Sequence, residues 1–183
     1  MNDIEMVMQN AQNAFNSYKT LSTAERAGFL NETATAIEAA RELLIPVAHE
    51  ESNLPLPRLN GELSRTTNQL KMFARLIEEG SWVEAAIDTA DATRTPPEPD
   101  TRKMLLPVGP VVVFGASNFP FAFSTAGGDT ASALASGSAV VIKGHSAHAK
   151  TSQLVFEAIQ QAIAKTGVNH YTVQNVLGSG TTD

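Results

Sequence analysis

Pro107-Val108-Gly109-Pro110-Val111-Val112-Val113-Phe114-Gly115-Ala116-Ser117-Asn118-Phe119-Pro120 is the stretch that decides the fold. Val108 to Phe114 is an almost continuous apolar, β-branched run. Such a run predicts a strand buried on both faces, as in a parallel sheet. Gly115 to Pro120 predicts a turn. Residues 121–136 are small and compatible with a helix, and Gly137 is a natural C-terminal stop. Ala139-Val140-Val141-Ile142-Lys143 reads as a second buried strand, and Gly144 to Lys150 as a polar loop. From 151 to 166, Leu154, Val155, Ala158, Ile159, Ala162 and Ile163 share one helical face, and Gly167 ends the run. Tyr171 to Leu177 reads as a third strand, followed by Gly178-Ser179-Gly180. The order β-α-β-α-β builds a parallel sheet through right-handed crossovers. Three strands and two helices are half of a doubly wound, Rossmann-like nucleotide-binding sheet.

Working outward towards the N-terminus, the pattern becomes helical. Ile4, Val7, Met8, Ala11, Phe15 and Tyr18 predict an amphipathic helix over 3–19. Ser22-Thr23-Ala24-Glu25 offers a capping box, with a hydroxyl for the free amides and a glutamate three residues on. Ala24, Ala27, Leu30, Ala34 and Ile37 form the stripe of the helix behind it. Pro46 suits the first turn of a new helical segment. Leu63, Leu70, Phe73, Ala74 and Ile77 give another helix, which Gly80 stops. Residues 82–90 read as a strand. Thr95-Pro96-Pro97-Glu98-Pro99-Asp100 cannot be regular structure, because its prolines lack donors and fix the backbone. Extended pattern resumes at Arg102, so a long hairpin arm spans the proline turn. The expected organisation is a helical segment over 1–80, a hairpin arm over 81–106 and an incomplete dinucleotide-binding domain over 107–183.

Composition narrows the function. The chain has 183 residues, 43% hydrophobic and 17% charged, which is globular rather than disordered. Its 13 Lys and Arg stand against 19 Asp and Glu, a net charge of −6. That balance disfavours nucleic acid and anionic membrane surfaces as partners. No apolar run approaches the ~20 residues of a membrane span, and the acidic N-terminus has no secretory core, so the expected location is cytoplasmic. There is no cysteine. Disulfides, thiolate metal sites and cysteine nucleophiles are therefore outside this chain's own chemistry.

The motifs are few. The Gly-x-Gly-x-x-Gly fingerprint is absent after the first strand, Lys143-Gly144 is the reverse of a P-loop, and no Gly-x-Ser-x-Gly elbow is present. His145 and His148 stand three apart without the further ligands a zinc site requires, so no metal is expected. Asn118 leaves a buried parallel strand where doubly wound sheets place ligands. Its amide either donates to a developing oxyanion or caps the turn. Lys143 ends the second strand at the same edge. It either reaches ribose hydroxyls or phosphate or is a solvated strand-end lysine. Gly178-Ser179-Gly180 alone reads as a plain turn.

Taken together, Pro107 to Pro120, Gly127 to Lys143 and Lys143-Gly144-His145-Ser146-Ala147-His148-Ala149-Lys150-Thr151-Ser152 resemble the aldehyde dehydrogenase superfamily. The Lys-Gly-His block, with Ala24-Glu25-Arg26 and Pro99-Asp100-Thr101-Arg102, is similar to the branch of ketoglutarate-semialdehyde and NADP-linked fatty-aldehyde dehydrogenases. The resemblance implies oxidation of a small-molecule aldehyde by thiolate attack, hydride transfer to nicotinamide and thioester hydrolysis. It implies that Asn118 holds the oxyanion and that Lys143, His145, Ser146 and Gly178 lie on the cofactor. The cofactor is NADP or NAD. Ser146 accommodates a 2′-phosphate, and in sequence the next acidic residue after Lys143 is Glu157. Residues 82–106 look like the family's oligomerisation hairpin, which implies a homo-oligomer or pairing with a full-length relative. The family's nucleophilic cysteine and general-base glutamate lie beyond a point like Asp183, so this chain alone is expected to be inactive. The alternative is a non-catalytic nucleotide-binding or oligomerisation module derived from the family.

Overall fold

In the computed structural model, which describes residues 3–178, four helices precede a short hairpin and a three-stranded parallel sheet. Helix α1 spans Asp3–Tyr18 and buries Ala11, Ala14, Phe15 and Tyr18, one helical face. Helix α2, Thr23–Ala39, starts at the expected capping box. Ser22 Oγ accepts the Glu25 amide at 3.2 Å, and Glu25 Oε2 accepts the Ser22 amide at 2.7 Å. Pro46 does not begin a helix. Helix α3 runs Arg41–Ser52, with Pro46 in its interior. The break falls instead at Ala40, where φ −86° and ψ 0° end α2 and begin α3 without a capping side chain. Helix α4, Leu56–Glu79, buries Leu59, Glu62, Leu63, Thr66, Leu70, Ala74 and Ile77 and ends on left-handed Gly80.

The hairpin is shorter than its sequence suggests. Ser81–Val83 is a single 3-10 turn, and Glu84 takes a left-handed conformation at φ 48°. Strand β1 (Ala86–Asp88) pairs antiparallel with β2 (Thr101–Lys103). Its apolar side chains Ile87, Met104, Leu105 and Leu106 are exposed.

Strands β3 (Val111–Phe114), β4 (Val140–Lys143) and β5 (Val173–Val176) run parallel in the order β3-β4-β5. Consecutive strands are adjacent, as in one half of a doubly wound sheet. Helices α5 (Gly128–Ser136) and α6 (Ala149–Thr166) make the crossovers. The central strand β4 is buried on both faces at Val140, Val141 and Ile142. The expectation of two buried faces fails for β3. Only Val113 is buried there, while Val112 is 43% and Phe114 75% exposed. The register explains it. Val112 pairs with Val141, which pairs with Gln174, so the three share one face. Gln174 Nε2 donates to the carbonyl of Val7 in α1 at 2.9 Å. Helix α1 thus covers that face over β4 and β5, leaving it open over β3. An open groove of about 620 Å³ lies along β3 and the Asp129, Ser132 and Ser136 side of α5.

One hydrophobic core joins the helical segment to the sheet. It runs from Phe29, Leu30, Leu44 and Leu63 to Leu134, Ile142, Ile159 and Val173. No helix among the described residues is long and apolar enough to cross a membrane.

Candidate functional site

The segment after β3 carries Asn118, and its backbone is built by tertiary contacts. Local propensity favours helix over 121–136, yet α5 begins only at Gly128. The reason is Glu62 of α4. Its Oε1 accepts the amides of Phe121 and Ala122 at 2.8 and 2.9 Å, so these donors are held by a side chain. Buried amides need an acceptor, and a carboxylate is a strong one. The segment then folds back on itself. Gly128 N donates to the Ala122 carbonyl at 3.1 Å. A Cβ at Gly127 would stand 2.4 Å from that oxygen, so only glycine fits. Arg58, one turn before Glu62 on α4, donates from Nη2 to the Asn118 carbonyl at 2.8 Å. The same guanidinium lies 5.0 Å from the centre of the Phe119 ring. Asn118 itself is exposed. Its carboxamide has no hydrogen-bond partner among the described residues, so the two donors on Nδ2 are free.

His148 holds the turn from the other side. Its ring is fully buried, and Nε2 lies 2.8 Å from the Ala116 carbonyl. A carbonyl only accepts, so Nε2 carries the proton. The pair of loop histidines therefore divides in role: His148 ties the loop after β4 to the turn after β3. The half-buried His145 accepts the Ala147 amide on Nδ1 at 3.0 Å. Among the described residues no group of three or more His, Asp or Glu side chains gathers to hold a metal.

Lys143 closes β4 opposite Phe114 and Val176. Its Nζ donates to the Gly144 carbonyl at 2.8 Å, and it makes no ion pair with a carboxylate among the described residues. Gly144 is packed tightly. A Cβ there would lie 2.6 Å from both Leu177 Cδ2 and Ser152 Oγ. Ser146 is exposed in a single 3-10 turn, and Gly178 is exposed at φ 150°, two residues past β5. Ser179 and Gly180 lie outside the described residues. The fold thus brings Asn118, Lys143, His145, Ser146 and Gly178 to one place, the carboxyl edge of the parallel sheet. Open α/β sheets bind ligands at that edge.

Three acidic and basic partners escape a linear reading. Glu51 of α3 accepts the amides of Lys150 and Thr151, each at 2.8 Å, and the Thr151 hydroxyl at 2.7 Å. It caps α6, where the helix dipole favours an anion, and it brings a carboxylate to the end of the Lys143 loop that sequence spacing does not reveal. Glu62 leaves one signal, a carboxylate set between Leu59 and Leu63 in a buried stripe. Arg58 leaves only its four-residue spacing from Glu62.

Comparison with known proteins agrees with this arrangement. Residues 1–182 match the model of the aldehyde dehydrogenase family. The chain is 49% identical over 179 residues to alpha-ketoglutaric semialdehyde dehydrogenase 2 of Azospirillum brasilense, covering 97% of this chain and 34% of that protein. It is 47% identical over 180 residues to the alpha-ketoglutaric semialdehyde dehydrogenase of Acinetobacter baylyi, covering 98% and 34%. The chain therefore spans about a third of the length of these relatives. Among solved structures, glyceraldehyde-3-phosphate dehydrogenase GapN of Methanocaldococcus jannaschii, complexed with NADP, superposes with a TM-score of 0.79 at 20% identity. That match covers 96% of this chain and 36% of the other. With its family model matched along almost its whole length and its parallel sheet shared with solved members, the chain belongs to the aldehyde dehydrogenase family.

Proposed function

We propose that this chain forms the adenosine side of the cofactor site and carries the oxyanion-holding asparagine of an NAD(P)-dependent aldehyde dehydrogenase. The substrate class is an aldehyde oxidised to a carboxylic acid, with a semialdehyde such as ketoglutarate semialdehyde favoured by the two relatives near 50% identity. One observation carries the reading. A free carboxamide at Asn118 and a lysine at 143 without a carboxylate partner sit on the same carboxyl edge.

The residues present fit the adenosine half of a dinucleotide. Lys143 offers an uncompensated cation, Ser146 an exposed hydroxyl and Gly178 exposed backbone. Glu51 bears on the choice of cofactor, because it adds negative charge near this loop. That charge is already held by two amides and a hydroxyl, which leaves both NADP and NAD acceptable. When bound, the cofactor supplies the hydride acceptor. Asn118 supplies Nδ2–H to the oxygen that becomes negative when a nucleophile adds to the aldehyde carbon. Such donors act where charge develops. The 183 residues contain no cysteine, so the thiolate must come from elsewhere and the chain alone does not turn over.

The test is a chimera in which this chain replaces the N-terminal third of the Azospirillum brasilense enzyme. The chimera oxidises ketoglutarate semialdehyde, and Asn118→Ala lowers its kcat about 10²- to 10³-fold, the usual loss of one oxyanion donor. The isolated chain gives no turnover. Turnover by the isolated chain, or an Asn118→Ala chimera with unchanged kcat, overturns the reading. The exposed Ile87, Met104, Leu105 and Leu106 of the hairpin favour a second reading, a non-catalytic module that pairs with copies of itself or with a full-length relative. A chain that assembles through this arm but yields a well-folded, inactive chimera establishes that alternative.

A further inference from the structure

A carboxamide that holds an oxyanion has to be fixed before the charge develops, because a mobile donor loses its advantage to reorganisation. Asn118 lies on an exposed turn, and no hydrogen bond among the described residues restrains its side chain. Its restraint comes through the backbone, from a helix about 60 residues earlier. Arg58 donates to the Asn118 carbonyl at 2.8 Å and covers the next ring, Phe119, at 5.0 Å. Phe119 meets Phe123 edge-on at 5.1 Å, and Arg65 covers Phe123 at 5.0 Å. Between these rings, the Phe121 and Ala122 amides converge on one oxygen of Glu62. Arg58, Glu62 and Arg65 are spaced four and three residues apart, so they share one face of α4.

The two central residues have little other employment. Arg58 is exposed and forms no ion pair among the described residues. Glu62 is only 6% exposed, and its Oε2 is buried without a partner. A buried carboxylate with one idle oxygen is costly unless the contacts on the other matter. Those contacts are the two amides of the Asn118 segment.

We propose that Arg58 and Glu62 are positioning residues, a clamp on α4 that sets the Asn118 turn so that its carboxamide is oriented before substrate arrives. The purpose of the clamp rests on the oxyanion role of Asn118, but the clamp itself is read without substrate or cofactor.

The test is nuclear magnetic resonance of the isotope-labelled 183-residue chain. In the wild type, Asn118 is ordered, with a backbone order parameter near 0.85, the usual rigid value. In Arg58→Ala it falls below about 0.6, and the Asn118 side-chain amide shifts move towards those of a solvated asparagine. The amide shifts of β4 and β5 and the melting temperature stay as they were, because Arg58 is on the surface. Arg58→Lys restores part of the Asn118 shift, since it keeps a donor but lacks the planar fork that covers the ring. Glu62→Gln preserves the side-chain volume and moves the Phe121, Ala122 and Asn118 signals together. Asn118 unchanged in Arg58→Ala, or already mobile in the wild type, overturns the proposal. So does a disturbance spread equally over β4 and β5. If the clamp is seen but Asn118→Ala leaves the chimera's kcat unchanged, the dehydrogenase reading fails and the clamp stands.

Discussion

The hydroxyl of Tyr18 donates to the carbonyl of Leu134 at 3.0 Å, joining α1 to the C-terminus of α5 across 116 residues. Arg26 Nη1 serves the next carbonyl, Ala135, at 2.9 Å. Burial pushes the Tyr18 hydroxyl well above its ordinary pKa, against the opposing pull of Arg26. The phenol therefore remains a donor at any ordinary pH. Tyr18→Phe removes one buried hydrogen bond and costs about 1 kcal/mol, read as a lower urea midpoint with an unchanged m-value.

Gly127 makes a sharper test of the turn beside Asn118. Its missing Cβ would meet the Ala122 backbone at 2.4 Å, and backbone cannot rotate aside. Gly127→Ala costs about 2 kcal/mol, in the range of overpacking. Hydrogen exchange at the Phe121 and Ala122 amides rises more than at β4, because the strain enters at their loop.

The acid limb of stability follows from surface carboxylates. Hydrogen bonds from Ser22 lower the pKa of Glu25, and hydrogen bonds from Arg41 lower that of Glu38. A lowered folded-state pKa contributes stability above the unfolded value, near 4.3 for glutamate. The contribution disappears as pH falls through the lowered value. Urea midpoints are therefore level from pH 7 to about 5 and fall below about 4.3. Glu38→Gln makes the acid fall shallower.

The open edge of β3 predicts behaviour at high concentration. Phe114 is 75% exposed beside a strand with a free edge, and such edges promote association. Phe114→Lys raises the concentration at which light scattering appears. Stability changes by less than about 0.5 kcal/mol, as for other surface sites.

The β-α-β-α-β order and the placement of Asn118 and Lys143 at one edge were legible because buried parallel strands are written as short apolar runs. The late start of α5 was not legible. Residues 121–127 have helical propensity, and it is overridden by Glu62, a side chain about 60 positions away. The exposure of Phe114 was missed for a related reason. An apolar run reports what a strand is suited to face, whereas α1 reaches only β4 and β5. Pro46 misled because a helix start is its usual place, while here it sits in the interior of α3. Glu51, arriving from α3, shows that the charge around a loop cannot be counted along the chain alone.

The most direct measurement is a titration of the labelled chain with NADP and with NAD, followed by amide shifts. The predicted result is saturable movement at Lys143, Gly144, His145, Ser146 and Gly178 at millimolar concentration or below, with affinity weakened about 10-fold or more in Lys143→Ala, the scale of one charged hydrogen bond. No movement at millimolar nucleotide, or movement away from the carboxyl edge of β4, would contradict the cofactor site.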